Sequence, residues 1–415
     1  MPARRDLFTG RYNFLERNWG EIEPFDRTFP QIFCENGIQN HMITDHTHYV
    51  EIGGENYLQQ FETWECIRGQ EYDHWVSRNA KPELPKKYYG KVSVQYQCNK
   101  SRFFTEEEFP TPKTFRCACD WARENKGADN FFLMVEGFDP HEPFDTPEDY
   151  LSLYGDDYQG PHYNWSGYCE AEGDEKATKH LQNCYKATIT MTDKWLGRFL
   201  EALKENDLYE DSYIIFTTDH GHLLGEHGCV GKNVFHAYNE LAHLPMFLKL
   251  PGQQLAGETR SALTQNIDIM PTLLDLYQLE IPGAVRGHSL LEVIHNQQAQ
   301  VRQTCIYGWH GSSINITDGR YTYLKAPDRT KPLYNYCAMP STLWRYLGTD
   351  ACDKIEMGRF LKHTQYPVYR FEMDRTSPAY HRVQGELLFD VQNDPQQLDY
   401  HDAPDELYDR FSLNR

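Results

Sequence analysis

The chain has 415 residues, 40% apolar and 14% aromatic, which excludes intrinsic disorder and allows one large α/β unit plus a smaller one. Lys and Arg number 41 against 61 Asp and Glu; the net charge of -20 excludes nucleic acid or an anionic membrane surface as main partner and requires a local positive site for any anionic substrate. Eleven scattered cysteines without a C-x-x-C pair form neither a disulfide framework nor a zinc ribbon, and their odd number favours a reducing, cytoplasmic compartment. No apolar run approaches the roughly 18 residues of a membrane span. The amino terminus, MPARRDLFTGR, has no apolar signal-peptide core and reads as the interior of a longer sequence.

In chain order, ITDHTHY (43–49) places His46 and His48 on one side of an extended segment, because side chains two apart share a face. NFFLMVEGFDPHEPF (130–144) reads as a buried strand ending in His141, which two flanking prolines aim rigidly into a cleft. A helix is predicted from Thr178 to Lys204, with Leu181, Cys184, Ala187, Ile189, Met191, Trp195, Phe199 and Leu203 near a 3.6-residue period. DSYIIFTTDHGHLLGEHG (211–228) and LPMFLKLPG (244–252) supply further buried strands. Strand, helix, strand is the order of a parallel, helix-covered sheet whose ligands bind beyond the carboxyl ends of its strands. A helix follows in DIMPTLLDLYQL, with Asp268 as cap and Pro271 in its first turn. Beyond HNQQAQVRQ the segments become short, aromatic and turn-separated, predicting a small antiparallel sheet with Asp318-Gly319 as a hairpin turn. The expected units are 1–298 and 299–415; the Tyr-, Pro- and Arg-rich stretch 330–385 carries no clear element.

Asp219 and His220 lie side by side at a strand end, followed by Gly221, which lets the backbone turn away. Two readings stay open on these residues alone. They are half of a divalent metal site, or Asp219 caps a helix and His220 is a buried histidine. His222, His227, His236 and His243 follow without the i, i+4 spacing of a zinc helix. Lys232 stands one loop away, where a cation could neutralise the oxygens of a bound oxyanion.

The succession PARRDLFTGR, ITDHTHY, FFLMVEGFDPHEPF, TTDHGHLLGEHG, GKNVF, NIDIMPTLLDLY with GHSLL, TDGRYTYL and ELLFDVQNDPQQ resembles the sulfatase family of the alkaline phosphatase superfamily, in order, over nearly the whole chain. The resemblance implies an α/β/α sandwich with a small carboxyl-terminal antiparallel sheet. It implies a hydrolase of sulfuric esters, small-molecule or glycan, that depends on one divalent cation: Ca²⁺ by family, Mn²⁺ or Zn²⁺ by the imidazole ligand. Its nucleophile is a formylglycine made from the Cys or Ser of a C/S-x-P-x-R signature, so a formylglycine-generating maturation enzyme is an expected partner. Carried over by residue, Asp219 and His220 match metal ligands. Lys232 matches a sulfate-contacting lysine, His141 the histidine at the sulfate or leaving oxygen, and Arg4 the signature arginine. His48 matches a sulfate-site histidine, and His46 stands where many members have lysine. Pro2 and Arg4 occupy the P and R of the signature, so the nucleophile is expected one position before Met1, with a first strand and two aspartate ligands further upstream. The chain taken by itself is then expected to lack turnover. Two alternatives are a phosphodiesterase or phosphonate monoesterase on the same frame, and a non-catalytic binding protein.

Overall fold

The computed structural model describes residues 1–232, 235–342, 345–373 and 385–401. Strand β1 (Gln39–Thr44), buried at every residue after its first, lies between β2 (Thr63–Cys66) and β3 (Phe131–Glu136) and runs parallel to both. Alternate residues face opposite sides of the sheet, and each side carries its own helices. Met42, Phe132 and Met134 pack with Phe8 of α1 (Pro2–Thr9), Phe29 and Phe33 of α2 (Phe29–Glu35) and Met270 of a later helix, Ile269–Leu276. Ile43, Leu133 and Val135 pack with Phe115 and Trp121 of α3 (Pro110–Glu124) and with Met191 and Trp195 of α4 (Glu175–Glu205). Each large side chain buried this way stabilises the fold by about 1.5–3 kcal/mol, and two covered faces make an α/β/α sandwich.

Local signals set the helix ends. Pro2 sits in the tolerated first turn of α1, and Gly10 stops it in the left-handed conformation at φ 64°, where an added Cβ would lie 2.8 Å from Val285 Cγ1. Helix α4 starts at Glu175, three residues before the predicted start, because the Asp174 side chain accepts from Ala177 N and caps it. Asp268 stands at the N-cap of the Ile269–Leu276 helix as predicted, but its side chain makes no capping bond to that helix. Its carboxylate accepts from Gln265 N and His288 N and pairs with Arg302, tying the turn before the helix to the chain after it.

The predicted strand–helix–strand order also needs correction. Beyond α4, β4 (Ile214–Thr217) pairs antiparallel with β5 (Met246–Lys249), and among the described residues neither pairs with β3. Among the described residues the chain between them forms short strands, a 3₁₀ turn and one short α-helix and no long crossover helix, so it returns as a hairpin-like pair. The expected full burial also fails on the outer face, where Phe216 and Phe247 stand opposite each other in solvent.

The carboxyl-terminal part holds a four-stranded antiparallel sheet in the order Glu386–Asp390, Tyr321–Lys325, Ile314–Thr317, Cys305–Gly308, with the predicted turn at Asp318-Gly319. The stretch 330–385 contributes a second antiparallel sheet from Tyr334–Cys337, Val368–Glu372 and Ile355–Gly358. Positions 343–344, 374–384 and 402–415 of the predicted second unit lie outside the described residues. Among the described residues no two cysteines form a disulfide, and no helix is long and apolar enough to cross a membrane.

Candidate active site

Every predicted site residue lies at the carboxyl end of β1, β3 or β4 or on a segment packed there. Arg4, from the first turn of α1, bridges two strand ends. Its Nε donates to Glu136 Oε1 at 2.8 Å, and its terminal nitrogens pair with Glu136 and with Asp219 Oδ2. Tyr49 donates to the other Glu136 oxygen at 2.8 Å. Burial works against a charge on Asp219, but the Arg4 guanidinium, with His220 beside it, holds the carboxyl well below the usual carboxylate range.

Asp219 does not cap a helix; the chain beyond it runs on to the short strand Leu223–Leu224. His220 Nδ1 donates to the Gly221 carbonyl at 2.9 Å, so the Nε2 lone pair faces Asp219 Oδ2 at 3.3 Å. Desolvation pushes this imidazole down to about 4, which keeps it neutral near neutral pH. A carboxylate oxygen and an imidazole lone pair held at this spacing fit two neighbouring positions around one divalent cation. Gly221 is required here, since a Cβ would lie 1.7 Å from the Glu240 carbonyl oxygen.

His141 and Lys232, 91 positions apart, meet directly. His141 Nδ1 donates to the Glu142 carbonyl at 2.7 Å, which fixes the tautomer, and Lys232 Nζ donates to Nε2. The ring lies against Phe138, with centroids 4.2 Å apart, and burial keeps it well below its ordinary range.

The predicted extended segment at His46–His48 is instead a 3₁₀ turn over Thr47–Val50, with His46 at its start, because Thr44 Oγ1 accepts from His46 N and bends the chain after β1. The two rings still approach to 5.1 Å. His46 is buried against Tyr49 and Phe138, and burial followed by the nearby Arg4 charge drives it well below its ordinary range. It is therefore neutral and does not replace the charge of a lysine. His48 Nδ1 donates to Glu51 at 2.6 Å, and its Nε2 faces Glu71 Oε2 at 3.4 Å.

Several neighbours were not visible from sequence. Glu136, Tyr49, Glu71, Glu142, Lys91 and Tyr168 surround the predicted set, with Tyr168 donating to Glu142 Oε1 and Lys91 Nζ standing 3.7 Å above the Tyr168 ring. Glu142 had a signal in its position beside His141 between two prolines. Glu71, in RGQEYDHW, had none.

A doubly covered α/β sheet with charged and imidazole side chains gathered at its strand ends is the frame of alkaline phosphatase-type hydrolases. The chain belongs to the sulfatase family, whose Sulfatase model matches residues 1–279. It is 30% identical over 240 residues to an arylsulfatase of Clostridium perfringens, covering 53% of this chain and 49% of that one. The chain thus spans about half the length of that relative. Two solved structures share the fold. One, determined in complex with its substrate D-glucosamine-2-N,6-O-disulfate, is 15% identical with a TM-score of 0.64 over 99% of this chain and 85% of that one. The other, a phosphonate monoester hydrolase of Agrobacterium radiobacter, is 16% identical with a TM-score of 0.63 over 99% and 83%.

Proposed function

We propose that this chain carries the sulfate-recognition and leaving-group residues of a sulfuric ester hydrolase acting on a small-molecule or glycan sulfate. The observation that carries this reading is the Lys232–His141 contact, in which an ammonium and an imidazole nitrogen address one point beside Arg4, Asp219 and His220. With a sulfate monoester at that point, Lys232 neutralises non-bridging oxygens and His141 Nε2 meets the bridging oxygen. Lys232 Nζ donates to Nε2, so the proton passed to the departing alcohol is an ammonium proton relayed through that ring nitrogen, leaving Lys232 as the neutral amine and the ring as it began. His48 donates to the sulfate only when protonated, because its other nitrogen is committed to Glu51. His46 contributes shape, and Arg4 holds Asp219 ionised.

Asp219 and His220 are the residues in this chain that would hold the family's divalent cation, Ca²⁺, or Mn²⁺ or Zn²⁺ given the imidazole. When bound, such an ion stabilises negative charge on the reacting oxygens. The covalent step in this reading belongs to a formylglycine at the first position of the C/S-x-P-x-R signature, whose Pro2 and Arg4 are present here, installed by a formylglycine-generating enzyme. A chain with that signature completed, matured and assayed on an aryl sulfate and an aryl phosphate diester is expected to prefer the sulfate. Preference for the phosphorus ester would transfer the assignment to the phosphodiesterase or phosphonate monoesterase branch.

A further inference from the structure

Apart from Asp219 and His220, a second set of ligand atoms converges behind the His141 ring. Glu71 and Glu142 are both buried, and Glu142 is fully so. Glu142 Oε1 accepts from Tyr168, but Oε2 has no hydrogen-bond partner, an expensive state for a buried carboxylate. This oxygen lies 3.5 Å from His141 Nδ1 and 3.6 Å from His222 Nδ1, and Glu71 Oε1 lies 3.6 Å from His141 Nδ1. Those separations are long for hydrogen bonds. They match the edge of roughly 3.4 Å between neighbouring ligands on a tetrahedral ion with bonds of about 2.1 Å.

One ligand atom from each of Glu71, His141 and Glu142 lies within 4.8 Å of the other two. His222 Nε2 is held at Ser166 Oγ, 3.2 Å away, which leaves Nδ1 facing Glu142. Among the described residues neither nearby lysine forms an ion pair with either carboxylate, since Lys232 is on His141 Nε2 and Lys91 stacks over Tyr168.

We infer that Glu71, His141, Glu142 and His222 bind a divalent transition cation, Zn²⁺ or Mn²⁺, at a site separate from Asp219 and His220. Mixed carboxylate and imidazole donors favour these borderline ions over Mg²⁺ or Ca²⁺. Ligation through His141 Nδ1 replaces its bond to the Glu142 carbonyl and leaves Nε2 on the opposite side of the ring, facing Lys232. The inference stands on these contacts and does not depend on the ester hydrolysed.

The test is calorimetric titration of the 415-residue chain with Zn²⁺, repeated on Glu142→Gln and Asp219→Asn. Binding is expected in the unmodified chain and in Asp219→Asn, with a loss of more than about 100-fold in affinity in Glu142→Gln. Glutamine keeps the side-chain shape and the acceptor for Tyr168, and circular dichroism checks that this variant folds. If it does not fold, zinc-edge anomalous diffraction from crystals of the unmodified chain decides: a peak between Glu71 and Glu142 upholds the site. No Zn²⁺ binding, equal binding by Glu142→Gln, loss only in Asp219→Asn, or an anomalous peak elsewhere each overturns it.

Discussion

Replacing Arg4 with Met keeps the side-chain length and removes the charge that joins the ends of β3 and β4. The Arg4, Glu136 and Asp219 side chains are 13%, 10% and 24% exposed, so both carboxylates are left with little water when the guanidinium goes. Breaking a buried ion pair costs about 3–5 kcal/mol, and the partial exposure of Asp219 places this case near about 3. The pH dependence fixes the mechanism. In the native chain Asp219 is held below its unfolded value, so its stabilisation is present above about pH 4 and is lost only as pH falls through the lower folded value. In Arg4→Met the largest charge opposing burial is gone, only weaker pulls, among them those of His220 and Lys232, remain, and the carboxyl rises above that unfolded value, so the penalty is absent in acid and grows as pH rises. Urea unfolding followed by tryptophan fluorescence should show a stability gap of about 3 kcal/mol near pH 7.5 that narrows to about 1 kcal/mol near pH 4. A gap independent of pH, or one below about 1 kcal/mol near neutrality, would refute the coupling.

Lys232→Ala is expected to weaken inorganic sulfate binding by this chain at least about tenfold in a calorimetric titration. It should also raise the NMR titration midpoints of His141 and His220, since the lysine charge lowers both. His46 should keep an unchanged ring-proton shift between about pH 8 and pH 5, because burial and Arg4 hold it neutral; a midpoint above about 6 would contradict the buried placement. Gly221→Ala must push the Asp219-His220 turn off the Glu240 carbonyl, costing about 1–3 kcal/mol in urea unfolding and weakening divalent-cation binding; unchanged values for both would contradict the packing described.

The parts of the fold written in local periodicity were legible. Helix α4 shows its buried stripe at Leu181, Cys184, Met191 and Trp195, and the Asp318-Gly319 hairpin needs only its own turn residues. Strand partners were not legible. Ile214–Thr217 reads equally well as a parallel or antiparallel strand, and its pairing is set by how the chain returns from Gly228 to Met246. The site divides the same way. Asp219, His220 and His141 stand out because they follow apolar runs at turns, and Lys232 because it lies one loop beyond the Asp219-His220 pair. Glu71 meets His141 only because β2 and β3 flank β1 in one parallel sheet and bring loops 70 positions apart to one sheet end, a relation no local pattern encodes. His46 shows the limit from the other side: its place beside His48 is visible, whereas the burial that keeps it neutral comes from Phe138.

The most direct measurement is hydrolysis of 4-nitrophenyl sulfate by the chain extended with the expected first strand, its two aspartates and a Cys immediately before Met1, co-expressed with a formylglycine-generating enzyme, against an otherwise identical extension carrying Ala. The Cys form should turn over sulfate ester and the Ala form should fall by about 10⁴-fold or more, with Lys232→Ala in the Cys form also strongly impaired. Equal rates for the Cys and Ala forms, or full activity in Lys232→Ala, would contradict the sulfate ester hydrolase assigned to this site.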